Sequence, residues 1–139
     1  MRRTVSTLMM GALLLILTAA VATAATRYGT SGPDTLYGTT NADQMYGFAG
    51  NDTMYGYAGN DEMFGGRGGD RMYAYGGNDE MTGGAGRDVL YSGAGDDSLT
   101  VFDGEVDHVY CGAGVDGVNI DRFDKVADSC EEAVVPVGG

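Results

Sequence analysis

Basic residues are scarce in this chain. Eight Lys+Arg stand against twenty Asp+Glu, Lys125 is the single lysine, and the formal charge is −12. Phosphate backbones are held by clustered Lys and Arg, so this balance excludes nucleic acid as a partner and argues equally against an anionic membrane surface. Tryptophan is absent and His108 is the one histidine. No H-E-x-x-H, G-x-S-x-G or G-x-x-x-x-G-K-[ST] occurs, so no enzyme is indicated, and His108 beside Asp107 reads as a residue of the C-terminal region rather than a general base. The EF-hand spacing D-x-[DN]-x-[DN]-G is missing too. Long apolar runs are confined to Leu8–Ala22, short of the ~20 residues a membrane span needs. Arg2 and Arg3 precede that run and Ala22-Thr23-Ala24 follows it as a small-x-small cleavage site. Residues 1–24 therefore read as a secretory signal peptide and 25–28 as a short lead-in. The mature protein is expected outside the cell, free or at its surface, with no membrane span. Cysteine is limited to Cys111 and Cys130, which in an exported chain predicts one disulfide.

Glycine and aspartate are abundant, and they are periodic. Aspartates stand at Asp34, Asp43, Asp52, Asp61, Asp70, Asp79, Asp88 and Asp97, nine residues apart. Two positions after each comes an apolar residue: Leu36, Met45, Met54, Met63, Met72, Met81, Leu90 and Leu99. Two positions before each comes glycine, except for Asn41. Asparagine tolerates a left-handed backbone better than other side chains, so that exception suggests a column set by dihedral angle. Eight copies of G-x-x-G-x-D-x-U-x, with U apolar and with Ala74 and Ser92 replacing the first glycine in two of them, run without a break from Gly29 to Thr100. The stretch Cys111–Asn119 is a further copy, displaced by one residue and bringing Asp116 into the aspartate column.

This phrase resembles the RTX (hemolysin-type) calcium-binding nonapeptide repeat. The resemblance implies an all-β fold, a parallel β-roll or right-handed β-solenoid. Six residues of each copy would form a turn and three a short strand. Two copies would make one coil, giving about four coils over residues 29–100. It also implies Ca2+ between successive turns, held by the aspartates above and by turn carbonyls. Pairing at eighteen residues gives six full sites: 34/52, 43/61, 52/70, 61/79, 70/88 and 79/97. Calcium prefers six to eight oxygens, and glycine-rich turns let carbonyls converge on one point. One U side chain, worth roughly 1.5–3 kcal/mol when buried, has to offset the ordering of nine residues at about 1–2 kcal/mol each. A chain that folds on binding calcium is therefore expected. The second repeat position is Thr30, Thr39, Phe48, Tyr57, Gly66, Tyr75, Gly84 and Gly93, where the family prefers glycine, and weaker sites are expected at the bulky residues.

The last repeat position should face outward. It places Tyr37, Tyr55, Tyr73 and Tyr91 as a ladder on one sheet, and Tyr46, Phe64, Thr82 and Thr100 on the other. Such a ladder serves either strand propensity and cross-strand stacking, or the recognition of a glycan, cell wall or protein partner. Residues 101–131 read as a degenerate repeat and a disulfide-linked cap, and 132–139 as a frayed tail. No comparable N-terminal cap is evident, so end-to-end self-association is open to the roll.

Overall fold

A computed structural model describes residues 23–130 and 132–134; the signal-peptide reading of the N-terminus falls on residues outside these apart from Thr23 and Ala24. Among the described residues there are thirteen strands and no helix. They are β1 (Thr26–Tyr28), β2 (Thr35–Tyr37), β3 (Gln44–Ala49), β4 (Thr53–Ala58), β5 (Glu62–Arg67), β6 (Arg71–Gly76), β7 (Glu80–Ala85), β8 (Val89–Ala94), β9 (Ser98–Thr100), β10 (His108–Ala113), β11 (Gly117–Asn119), β12 (Lys125–Val126) and β13 (Glu132–Val134). The odd-numbered strands form a seven-stranded sheet and the even-numbered ones a six-stranded sheet. Neighbouring strands are parallel and eighteen residues out of register, as in Leu36↔Met54↔Met72 and Met45↔Met63↔Met81. Two nonapeptides thus make one turn of a parallel β-solenoid, which completes about six turns. The eight intact copies supply four of them, and β10–β13 extend both sheets beyond.

The period follows from alternation. Residues before and after each U point outward and U points inward, so the U side chains form a thin layer between the sheets, joined by Ala74 in β6 and Cys111 in β10. Met45, Met54, Met63, Met72, Met81 and Leu90 are completely buried there. Methionine adapts its shape to the neighbouring coil, which suits an interior one side chain deep. Val109 and Val118 continue the layer into the added coils.

The strands are longer than the three residues expected. β3 to β8 and β10 each hold six, the last three of one nonapeptide and the first three of the next. The extra three stay hydrogen-bonded because the second repeat position adopts a left-handed backbone, with φ of 75° at Phe48, 79° at Tyr57 and 75° at Tyr75. That single residue redirects the chain while the ladder on either side persists, so the true turn shrinks to Gly-x-Asp.

The outward aromatics stack between coils. Tyr37, Tyr55, Tyr73 and Tyr91 form the expected ladder, with ring centroids 5.3, 5.3 and 5.0 Å apart, and Tyr110 extends it at 4.5 Å. Tyr28, Tyr46 and Phe64 do the same on the other sheet. Tyr57 and Tyr75 form a second rank beside the first. The expected disulfide is present, Cys111 to Cys130, with Cα atoms 5.0 Å apart. It ties β10 to the segment after β12. Glu132–Val134, the head of the segment expected to fray, pairs as β13 with β11.

Candidate metal centre

Each turn brings an aspartate to the edge of the roll, and each aspartate is fixed by the coil before it. The backbone N–H of Asp34 donates to Oδ1 of Asp52 at 2.8 Å, and Asp43 to Asp61, Asp52 to Asp70, Asp61 to Asp79, Asp70 to Asp88 and Asp79 to Asp97 at the same distance. The eighteen-residue pairs read from the sequence are therefore brought together. The chain of bonds runs on from Asp88 to Asp107 at 2.7 Å and from Asp97 to Asp116 at 2.9 Å. Two aspartate columns result, one at each edge of the roll.

These bonds use one carboxylate oxygen and leave the other. Oδ2 of Asp52, Asp61, Asp70, Asp79, Asp88, Asp97, Asp107 and Asp116 is buried without a hydrogen-bond partner. A buried carboxylate oxygen with no donor is costly, and native structures rarely keep one without a reason. Repeated at eight turns it is a property of the design. Burial is the main force that raises the carboxyls of Asp52, Asp61, Asp70, Asp79, Asp88, Asp97 and Asp107. The N–H bond from the preceding coil opposes it, and neighbouring aspartates reinforce it at most of these turns. Asp61 and Asp79 are pushed up to about 6, and Asp70 and Asp107 to about 7. Asp88 also rises to about 6, with Asp103 as its charged neighbour, and Asp52 and Asp97 shift upward as well. Neutral carboxyls relieve such a column in acid; at neutral pH a cation does so better.

A second oxygen comes from the backbone. A Cβ added at Gly38 would meet Oδ2 of Asp43 at 2.7 Å and the carbonyl oxygen of Gly56, one coil further on, at 2.6 Å. A Cβ on Gly47 would likewise strike Oδ2 of Asp52 and the Gly65 carbonyl at 2.5 Å. Where the first repeat position is glycine, carboxylate and carbonyl oxygens of two coils can approach one point; Ala74 and Ser92 hold that position before Asp79 and Asp97. Among the described residues no three His, Cys, Asp or Glu side chains converge, and the oxygens that the turns bring beside each carboxylate are backbone carbonyls. An all-oxygen set of carboxylates and carbonyls matches a hard cation such as calcium and is unlike the nitrogen and sulfur sets that select zinc or copper.

Asp34 and Asp43 differ from the rest. Oδ2 of Asp34 accepts the Thr30 N–H at 2.5 Å and the Thr30 hydroxyl at 2.9 Å. Oδ2 of Asp43 accepts the Thr39 N–H at 2.5 Å, and its Oδ1 accepts the Thr39 hydroxyl at 3.1 Å. A β-branched residue avoids the left-handed region. Thr30 and Thr39 accordingly stay out of it, and their N–H groups turn inward. These two turns satisfy their own carboxylates.

Asn41 also needs a different explanation from the one its column suggested. The glycines of that column from Gly50 to Gly95 do have positive φ, 112° to 135°, but Asn41 does not. What demands glycine is space: a Cβ on Gly68, Gly77 or Gly95 would overlap the carbonyl of the glycine one coil earlier. Asn41 lies in the first complete coil, and among the described residues no glycine carbonyl stands one coil before it. Gly32 shares that coil and has nothing within 4 Å of an added Cβ.

Asp107 was missed in the repeat reading. Its signal is present, since Asp107-His108-Val109 keeps the D-x-U spacing, but Glu105 replaces the glycine two positions earlier. One inserted residue moves its partner from eighteen to nineteen residues away. Residues 28–63 and 64–99, together more than half of the chain, match the family model described as the RTX calcium-binding nonapeptide repeat. No curated protein and no solved structure matches the chain.

Proposed function

The chain belongs to the RTX calcium-binding nonapeptide repeat family, and on that premise we propose that it is a secreted, non-catalytic protein whose roll is assembled by calcium. Asp52, Asp61, Asp70, Asp79, Asp88 and Asp97 are its principal ligands, joined by Asp107 and Asp116 in the added coils and by first-position carbonyls such as those of Gly65 and Gly83. Bound calcium supplies positive charge to carboxylates that the fold has desolvated and links each turn to the next. The observation that carries this reading is the row of buried, partnerless Oδ2 atoms.

Its biological setting follows from the affinity expected of such sites. Extracellular modules operate at about 10⁻⁴–10⁻³ M calcium. A chain unstructured inside the cell would then fold where calcium is plentiful. Native mass spectrometry of residues 25–139 tests the reading. Several calcium ions should bind cooperatively, and magnesium, which demands tighter octahedral geometry, should not replace them. A chain that binds no calcium at millimolar concentration would refute it.

A further inference from the structure

The fold places three of this acidic chain's cations, Arg71, Arg87 and Lys125, around His108 on one sheet. Arg71, His108 and Lys125 occupy one outward column of the six-stranded sheet, where Arg71 aligns with Val89, Val89 with His108 and His108 with Lys125. Arg87, in the turn before β8, lies beside them, and Arg87, Val89, His108 and Lys125 line one cleft of about 420 Å³. The corresponding column of the other sheet carries Gln44, Glu62 and Glu80. The two outward columns therefore differ in charge, although Arg27 and Arg67 also lie on the seven-stranded sheet. Asp103, whose Oδ2 accepts the Gly86 N–H at 2.7 Å, and Asp107 and Asp124, in the adjoining turns, stand beside the cleft, and two further acidic groups adjoin it. Glu105 lies 4.0 Å from Arg87, both side chains well exposed, and Asp88 lines the wall with its carboxylate held in the turn column. On the same outward face, two residues along each strand, Tyr91 and Tyr110 stack at 4.5 Å. Their faces are spent on each other, so edges and hydroxyls remain for a ligand.

We propose that this strip binds an acidic polysaccharide, and only in the calcium-loaded state; the calcium condition rests on the function proposed above. Cations in a line along a flat sheet fit a polymer bearing regularly placed anions, and flanking phenol hydroxyls fit its hydroxyl groups. Single-stranded nucleic acid stacks its bases on open aromatic faces, and both faces of Tyr91 are already covered by Tyr73 and Tyr110. The gate has two parts. Residues 71, 87, 108 and 125 are far apart in sequence and meet only when the coils stack. Six calcium ions would also supply twelve positive charges against the −14 left when Arg2 and Arg3 are removed from the formal −12, offsetting most of the repulsion that otherwise meets a polyanion.

The test is fluorescence anisotropy of the mature chain with labelled dextran sulfate and a labelled short oligouronate. Neutral dextran and single-stranded DNA serve as controls, each in calcium and in chelator, with circular dichroism on the same samples. Binding of the acidic glycans in calcium alone is expected, weakening with salt. The tighter of the two identifies sulfate or carboxylate as the anion. The variant R71Q/R87Q/K125Q should fold normally with calcium and bind about tenfold more weakly or worse. Calcium-induced folding without glycan binding, or equal binding by the variant, overturns the strip and leaves the calcium reading standing. DNA binding as tight as glycan binding overturns the ligand class. Glycan binding that persists in chelator overturns the gate, and failure to fold in calcium overturns the calcium reading and this proposal together.

Discussion

Replacing Asp70 with Asn should move the protein in opposite directions with and without calcium. The amide oxygen can keep the bond from the Asp52 N–H, 2.8 Å long in the native roll, while Oδ2 becomes an uncharged NH2. Burial lifts the Asp70 carboxyl from 3.8 to about 7, against the Asp52 hydrogen bond and aided by the charges of Asp88 and Asp52. A raised carboxyl favours the fold below its unfolded value and loses that contribution as pH climbs through about 7. At neutral pH without calcium the ionised group therefore opposes folding by on the order of 4 kcal/mol. Asn removes this cost but buries an amide without an acceptor, at about 1–3 kcal/mol, so a net gain of roughly 1–3 kcal/mol is expected in chelator. In calcium the variant lacks the carboxylate shared by the 52/70 and 70/88 pairs, and its folding midpoint should rise by about tenfold or more. Far-ultraviolet circular dichroism reads both effects. In chelator the native chain should gain strand signal on acidification from neutral to about pH 5, and the variant should show part of that gain already at neutral pH. Loss of structure in chelator and calcium alike would refute the reasoning, because Asp70 would then be a turn former and nothing more.

Three other outcomes follow. The double variant Thr30→Gly/Thr39→Gly frees Oδ2 of Asp34 and Asp43, so the calcium stoichiometry counted by native mass spectrometry should rise; an unchanged count would mean those turns were already open. Gly77→Ala, at φ 134° and against the Gly59 carbonyl, should cost about 3 kcal/mol or more, whereas Gly32→Ala should stay within about 0.5 kcal/mol; similar calcium midpoints for the two would show that coil contact does not set the glycine column. Reducing Cys111–Cys130 should lower stability by about 3 kcal/mol through loop entropy, seen as an earlier thermal transition in calcium, and an unaltered transition would assign the added coils no part in the cooperative unit.

Much of the fold and site was legible because one nine-residue period does three jobs at once. The Asp52 series marks the edges, the Met54 series the interior and the Tyr55 series the surface, and eighteen-residue register follows from two periods per coil. What stayed hidden depends on contacts between coils. Phe48, Tyr57 and Tyr75 look like misfits in a turn until their left-handed backbone is seen to lie inside a strand. Asn41 was open to a dihedral explanation because sequence shows neither its backbone angle nor which carbonyl each residue of that column meets. The self-satisfied turns at Thr30 and Thr39 depend on where an N–H points, and Asp107 on a one-residue bulge that breaks the count. The cation strip joins Arg71, Arg87, His108 and Lys125 across spacings that share no period, so composition alone suggested the opposite partner.

The most direct measurement is the strand signal of the mature chain titrated with calcium after exhaustive chelation, with magnesium as the control ion. The account predicts a largely coil spectrum at neutral pH without calcium, a cooperative rise to the strand spectrum as calcium is added, and little response to magnesium. A chelated chain that already shows the full strand spectrum at neutral pH, and melts at the same temperature after calcium is added, would contradict it.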